Sequence, residues 1–228
     1  MNEKKHAKVS LDMKLYIAGV YHFDPLGRNN LRQWLQGLAS ANNGSPAFIA
    51  TEWDENLFAL IKGQRRTFRE LAQKEWPNAA SDLLDTLERS LGYEADTHTE
   101  FFPNVEVLWL DQGRQAIVER YAEGRLNMYR SYLEGEQLPT QSSMGLAKFS
   151  AVARQRADSS EAERQRTQLF EEESERDTKF ASLILERIAK GGGVWAIAIV
   201  GGRHASEGKG SMRQLLEEQG QLCEVTVL

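Results

Sequence analysis

The 228-residue chain lacks several features that define particular protein classes. It has a single cysteine, Cys223, so it forms no internal disulfide, which fits a reducing compartment. Its longest apolar run, Val194 to Val200, is far shorter than the ~20 residues that span a bilayer. The charged start, MNEKKHAKVSLDMK, has no apolar core of the kind a secretory signal needs. These absences predict a cytoplasmic protein without a membrane span.

The chain also lacks an excess of positive charge. Its formal net charge is −5, whereas contact with phosphate backbones needs a basic surface. We therefore expect no nucleic-acid partner. The hydrophobic fraction of 41% is enough for a sizeable core.

Five short apolar runs, rich in β-branched or aromatic residues, are typical of buried strands. They are Lys14 to Ala18, Ala47 to Thr51, Val105 to Leu110, Val194 to Val200 and Cys223 to Leu228. Apolar residues at helical spacing lie between them. The predicted helices cover Leu31 to Leu38, a stretch capped by Asn78 and ending at Gly92, Gln112 to Tyr132 with a break near Gly124, Phe180 to Ile188 ending at Gly191, and Met212 to Gln219.

Strands that alternate with helices predict an α/β fold with a largely parallel central sheet flanked by helices. We expect a single domain with a βα part (13–112), a helical insertion (113–190) and a βαβ part (191–228). Within the insertion, the polar stretch 135–160 is either a mobile loop or a helical segment with a loose start. The stretch 154–176, dense in Arg and Glu, predicts a solvated helix.

Polar residues follow each of the first four strands. Gly19 and His22 follow the first, Glu52 the second and Asp111 the third. Gly201, Arg203 and His204 follow the fourth. Because parallel strands place their carboxyl ends at one edge of the sheet, where ligands bind, we expect these residues to converge.

The residue types indicate a metal site. Two imidazoles and a carboxylate, from His22, Glu52 and His204, suit a borderline divalent ion such as manganese, cobalt or zinc. Such an ion activates water for attack on carbonyl or phosphoryl centres. The motif G-x-x-H occurs twice, as GVYH and GGRH, and its glycines, Gly19 and Gly201, would let the chain turn sharply off each strand. His6 is expected in a frayed terminus and His98 at the surface.

These motifs, in this order, make the chain resemble the TraB/PrgY family. That family belongs to a wider group with the TIKI proteases, the ChaN haem-binding lipoproteins and the erythromycin esterases. The resemblance runs from about Leu15 to the C-terminus and rests on the two G-x-x-H motifs and Glu52. It also rests on VLWLDQGRQAIVERY, with Asp111 and Arg114, and on Arg176 in SERDTKFASLILERI. It implies an α/β fold with its site at one sheet edge and, by analogy with the TIKI branch, metal-dependent proteolysis.

The leading hypothesis is a metal-dependent hydrolase, with a peptidase as its narrower form, acting on a peptide or small ester. His22, Glu52 and His204 would bind the metal, or two would bind while the third acts as base. Arg176 would stabilise a developing oxyanion or else form a surface salt bridge. Asp111 would orient an imidazole or cap a helix. Arg203 would reach an anionic substrate or point to solvent.

Two other hypotheses remain: a hydrolase that needs no metal, and a protein without catalytic activity. In the first, His22 and Glu52 act as a metal-independent acid/base pair on an ester, as the esterase branch suggests. In the second, the chain is a non-catalytic regulatory protein that binds haem or another ligand, with Tyr21 or His22 as an axial ligand. Association into a homo-oligomer is compatible with each hypothesis.

Overall fold

The computed structural model describes residues 13–111, 121–133, 142–158 and 170–228. Five parallel strands form one sheet in the order β3-β2-β4-β1-β5. The strands are β1 (Lys14–Val20), β2 (Ile49–Thr51), β3 (Val107–Trp109), β4 (Trp195–Gly201) and β5 (Cys223–Val227). Each lies within or close to a predicted strand, and the predicted α/β class with a parallel sheet flanked by helices is confirmed.

The helices differ from the predictions more than the strands do. They are α1 (Gly27–Ala41), α2 (Glu55–Gly63), α3 (Arg65–Glu75), α4 (Ser81–Arg89), α5 (Tyr121–Leu133), α6 (Ser142–Ala157), α7 (Phe170–Ala189) and α8 (Met212–Glu218). Leucine spacing does not predict α2 or α3. The expected break at Gly124 is wrong, because α5 continues through it; one glycine costs a helix only about 1 kcal/mol. The expected cap at Asn78 is also wrong, because the N-cap of α4 is Ala80.

Side chains alternate between the two faces of the sheet, and each face has its own core. From β4, Ala196, Ala198 and Val200 pack against α7 and α8. The alternate residues of β4 pack with α1 and with the segment 93–102, which contains two short 3-10 turns, Tyr93–Ala95 and Thr97–Glu100. The sheet is therefore buried on both sides, as its continuous apolar strands require.

Helices α2 to α6, here called the helical layer, enclose a separate core. Its large buried side chains include Phe68 of α3, Leu87 of α4, Tyr129 of α5 and Phe149 of α6. Of the predicted insertion 113–190, α5 and α6 belong to this layer, whereas α7 packs on the sheet. Residues 142–157 of the polar stretch are helical, and its first part lies outside the described residues.

Within the described ranges, no helix is both long enough and apolar enough to cross a membrane.

Candidate active site

The strand order brings the two G-x-x-H motifs side by side. β4 lies between β1 and β2, and Val20 pairs with Gly201 at the carboxyl ends of β1 and β4. On the other side of β4, the backbone N–H of Glu52 donates to the carbonyl of Ile199 at 3.3 Å. Three segments that are remote in sequence thus end at one point on the sheet edge.

The carboxylate of Glu52 is the centre of the cluster. Its Oε2 accepts from the backbone N–H of Gly201 at 2.6 Å and lies 3.4 Å from Nε2 of His22. Its Oε1 accepts from Nη2 of Arg176 at 2.9 Å and lies 3.3 Å from Nε2 of His204. Both imidazoles therefore direct Nε2 at the Glu52 carboxylate. His22 faces one of its oxygens and His204 faces the other.

The opposite ring nitrogen of each imidazole contacts a buried carboxylate. Nδ1 of His22 lies 2.7 Å from Oε1 of Glu94, which belongs to the first 3-10 turn. Nδ1 of His204 lies 2.6 Å from Oδ1 of Asp177 on α7. Because an ionised carboxylate only accepts hydrogen bonds, each Nδ1 carries the proton. A neutral imidazole in this state presents the lone pair of Nε2 to Glu52.

Two lone pairs that face a carboxylate repel it unless positive charge lies between them. Burial alone would lower the pKa of His22, but the charges of Glu52 and Glu94 raise this pKa well above its usual value. Burial opposes protonation of His204 too, yet Glu52 and the bond to Asp177 raise its pKa to about 9. Burial would raise the pKa of Glu52, but the two imidazoles hold it well below its usual range. The cluster therefore favours cations, either protons or a metal ion.

Gly19 and Gly201 provide close approach, not the sharp turn that was expected. Neither is among the glycines with positive φ. A Cβ on Gly201 would lie 2.8 Å from Nε2 of His22 and 3.1 Å from Oε2 of Glu52. A Cβ on Gly19 would lie 2.9 Å from Cβ of Ala205. The glycine of the second motif thus leaves the space that the histidine of the first motif occupies.

The predicted arginines have structural partners. Arg176 is only 15% exposed and binds Glu52 and Asp111, both at 2.9 Å, so the expectation of a solvated helix is wrong at this position. Arg203 donates to Oδ2 of Asp177 at 3.1 Å. Arg114 lies outside the described residues. The arginines next to the cluster therefore hold its carboxylates in place.

Two residues of the cluster, Glu94 and Asp177, have no counterpart in the sequence predictions. The sequence indicates that Asp177 is buried, because it lies on the apolar face of α7 together with Phe180 and Ile184. No pattern in the sequence indicates a buried position for Glu94. The expectation that His98 lies at the surface is wrong, because it is 2% exposed within the second 3-10 turn, Thr97–Glu100.

The donor set suits a metal ion in part. Two ligands bonded to one tetrahedral zinc at 2.0–2.1 Å lie about 3.3 Å apart, which is close to the two distances between Glu52 and the imidazoles. However, no three His, Cys, Asp or Glu side chains in the described part of the chain form a ready metal-binding group. Glu52 offers a different oxygen to each imidazole, so its carboxylate must shift for one ion to contact all three residues.

The lone thiol is not a nucleophile at neutral pH. Cys223 lies on β5, and burial raises its pKa to about 12, so almost none of it is thiolate.

Comparison of the chain with protein-family models, with curated proteins and with solved structures finds no match. The resemblance to the TraB/PrgY family thus stays a prediction that rests on the motifs.

Proposed function

We propose that this chain is a hydrolase of the TraB/PrgY type whose reaction centre is His22, Glu52 and His204, with a divalent metal ion as cofactor. One observation carries the proposal. Two imidazoles, each bonded through Nδ1 to a buried carboxylate, direct Nε2 at a third carboxylate at 3.4 and 3.3 Å. Metal-binding histidines are commonly oriented in this way by a carboxylate on the other ring nitrogen.

The bound ion would supply Lewis acidity and activate water at neutral pH. His22, His204 and Glu52 are the residues that would hold it, and manganese, cobalt and zinc are the candidates. Because His22 is 31% exposed and His204 only 4%, substrate would approach from the side of His22. His22 is therefore the imidazole best placed to exchange a proton with substrate or water.

We propose that Arg176 positions Glu52, and does not act as a separate donor to the oxyanion. Its Nη2 contacts Glu52 and Asp111, so it holds the Glu52 carboxylate in position. Its charge also lowers the energy of negative charge that develops beside Glu52. Asp111 in turn fixes the guanidinium.

The substrate class we propose is a peptide or a small ester, because both present the carbonyl centre that activated water attacks. We also propose a cytoplasmic location and no nucleic-acid partner, in line with the single cysteine and the net charge of −5. A homo-oligomer is compatible with this proposal.

The test combines metal analysis with hydrolysis assays. The purified, tag-free protein is loaded separately with manganese, cobalt and zinc and assayed on a peptide library and on p-nitrophenyl esters. The double variant His22→Ala, His204→Ala is compared with His98→Gln, a buried histidine that is not part of the centre. We expect about one ion per chain and turnover in the wild type and in His98→Gln, and neither in the double variant. Equal metal content in all three proteins would contradict the proposal.

A metal-independent hydrolase is the second candidate, and one observation favours it. Both oxygens of Glu52 already accept charge-assisted or backbone hydrogen bonds, from Arg176 and Gly201, and these donors compete with a cation. In this version His22 and Glu52 act as an acid/base pair. Activity that survives exhaustive chelation would select it, whereas loss on chelation with rescue by one ion would exclude it.

A further inference from the structure

The loop that carries His22 is held from outside the sheet, by residues of segment 93–102 and the helical layer. The contact of Glu94 with the imidazole is a short one, 2.7 Å, and Glu94 is 1% exposed. Its other oxygen, Oε2, is buried and has no hydrogen-bond partner among the described residues. Burying a carboxylate is costly unless it is hydrogen-bonded, so Glu94 in this position depends on its bond to the His22 ring.

Arg125 of α5 holds the backbone of the same residue. Its Nη1 donates to the carbonyl of His22 at 2.6 Å, and its Nη2 donates to the hydroxyl of Tyr121 at 2.5 Å. Arg125 is 3% exposed as a residue, and its guanidinium lies over the rings of Phe23, at 4.6 Å, and Tyr121, at 5.3 Å. The favourable field of the nearby Glu94 carboxylate compensates part of the cost of burying this cation.

We infer that Glu94 and Arg125 are positioning residues that fix His22 at two points, the ring and the backbone carbonyl, so that Nε2 faces Glu52. Glu94 selects the ring state with the proton on Nδ1. Arg125 prevents the peptide of His22 from rotating and carrying the ring away from the sheet edge. Segment 93–102 and the helical layer thereby set the geometry of the first G-x-x-H motif, while Asp177 on α7 does so for the second motif. This inference deepens the proposed function and rests on it only for the consequence in metal binding and activity.

The experiment is NMR of imidazole nitrogens in protein labelled with ¹⁵N-histidine, joined to a zinc titration. The chain has only four histidines, so His22 can be assigned from the signals lost in His22→Gln. The test variant is Glu94→Gln, which keeps the size of the side chain. The control is Asp96→Asn, which changes a neighbouring carboxylate that binds Arg65 at 2.7 Å. Arg125→Met removes the second point of attachment and keeps the apolar stem.

In the wild type and in Asp96→Asn, we expect a proton on Nδ1 of His22 that exchanges slowly with water. This proton should lose its protection in Glu94→Gln, while the signals of His204 stay unchanged. The affinity for zinc should fall about 10- to 100-fold in Glu94→Gln, as for other residues that orient a metal-binding histidine. Arg125→Met should broaden or shift the His22 signals without removing the Nδ1 proton.

Two results would overturn the inference: a wild-type His22 with no proton on Nδ1, or equal effects of Glu94→Gln and Asp96→Asn on the His22 ring. If the wild type binds no zinc and hydrolyses nothing, the proposed function fails. The NMR comparison still decides the positioning role, because it does not depend on a metal.

Discussion

The two halves of the candidate site are built alike but anchored differently. His204 is 4% exposed, and its partner Asp177 also accepts from the backbone N–H of Met212 at 2.8 Å and from Arg203. His22 is 31% exposed, and the second oxygen of its partner Glu94 has no bond among the described residues. The His204 half is anchored in the core between the sheet, α7 and α8, and the His22 half is anchored by segment 93–102 and the helical layer.

This difference in anchoring indicates different roles for the two imidazoles, although they are chemically identical. A rigid, buried imidazole suits the constant part of a site, which keeps the geometry of Glu52 and any bound ion. A more accessible imidazole, whose carboxylate partner makes fewer hydrogen bonds, suits the step that meets substrate. Under the proposed function, His204 is therefore the fixed member of the pair and His22 the member that meets substrate.

Removal of the anchors should show the largest difference between the halves. Asp177→Ala leaves His204, Arg203 and the Met212 N–H without their shared acceptor. We expect it to lower the free energy of unfolding by about 3–5 kcal/mol, the usual cost of breaking a buried ionic contact. Glu94→Ala should lower it by about 1.5–3 kcal/mol, since a single charged hydrogen bond is lost. Urea denaturation of both variants measures the two values, and equal losses would remove the asymmetry.

The ion pair between Arg154 and Asp24 tests the connection of the first half to the helical layer. Asp24 is fully buried in the loop after His22 and accepts from Nη2 of Arg154 on α6 at 2.7 Å. Arg154→Met should cost about 1.5–3 kcal/mol of unfolding free energy, because a buried carboxylate loses its charged donor. His22 signals should shift in the NMR spectrum and those of His204 should not.

The matched control for this variant is Arg130→Met, which breaks the more exposed pair between Arg130 and Glu75. It should change stability little, since exposed ion pairs contribute little. If His204 responds to Arg154→Met as strongly as His22 does, the two halves are not separately anchored.

Gly201→Ala should disturb both halves at once. The added methyl would lie 2.8 Å from His22 and 3.1 Å from Glu52, so one of them must move. We expect a loss of about 1–3 kcal/mol in stability, typical of overpacking, together with loss of metal binding and hydrolysis. Gly37→Ala on α1, where no atom lies within 4 Å of the new methyl, is the control and should gain about 0.5–1 kcal/mol. Normal activity in Gly201→Ala would mean that the crowding is harmless.

Much of the fold was predictable because it depends on local patterns. Continuous apolar runs between breakers mark buried parallel strands, and chemistry at their carboxyl ends follows from strand direction. The strand order was not predictable, because no local pattern places β4 between β1 and β2. That order nevertheless decides that His22, Glu52 and His204 meet.

The carboxylates behind the imidazoles were harder to predict for the same reason. Asp177 could be recognised as an acidic residue on an apolar helix face. Glu94 is one of 33 acidic residues, and only the packing of its 3-10 turn beneath the first motif gives it a role. The polar neighbours of His98 in sequence predict a surface position, although the side chain is buried in the fold.

The smallest expected effect concerns acid sensitivity of the segment that carries Glu94. Burial lowers the pKa of His98, so the folded state binds this proton less well than the unfolded state. Above the unfolded-state pKa of about 6.5, His98 is neutral in both states and does not reduce the free energy of unfolding. As the pH falls below this value, the unfolded state gains a proton that the folded state binds less well, so the free energy of unfolding decreases. When the pH is lowered from about 7.5 to about 5, the free energy of unfolding should therefore decrease less in His98→Gln than in the wild type. Equal losses in thermal denaturation would contradict this assignment.

We propose above all that His22 and His204 direct Nε2 at one cation-binding position beside Glu52. The decisive experiment is anomalous diffraction from a zinc-soaked crystal. We expect one zinc peak about 2.0–2.1 Å from both Nε2 atoms, with the Nδ1 of His22 still bonded to Glu94 and that of His204 to Asp177. A crystal in which zinc binds elsewhere, or in which the two Nε2 atoms point away from each other, would contradict it.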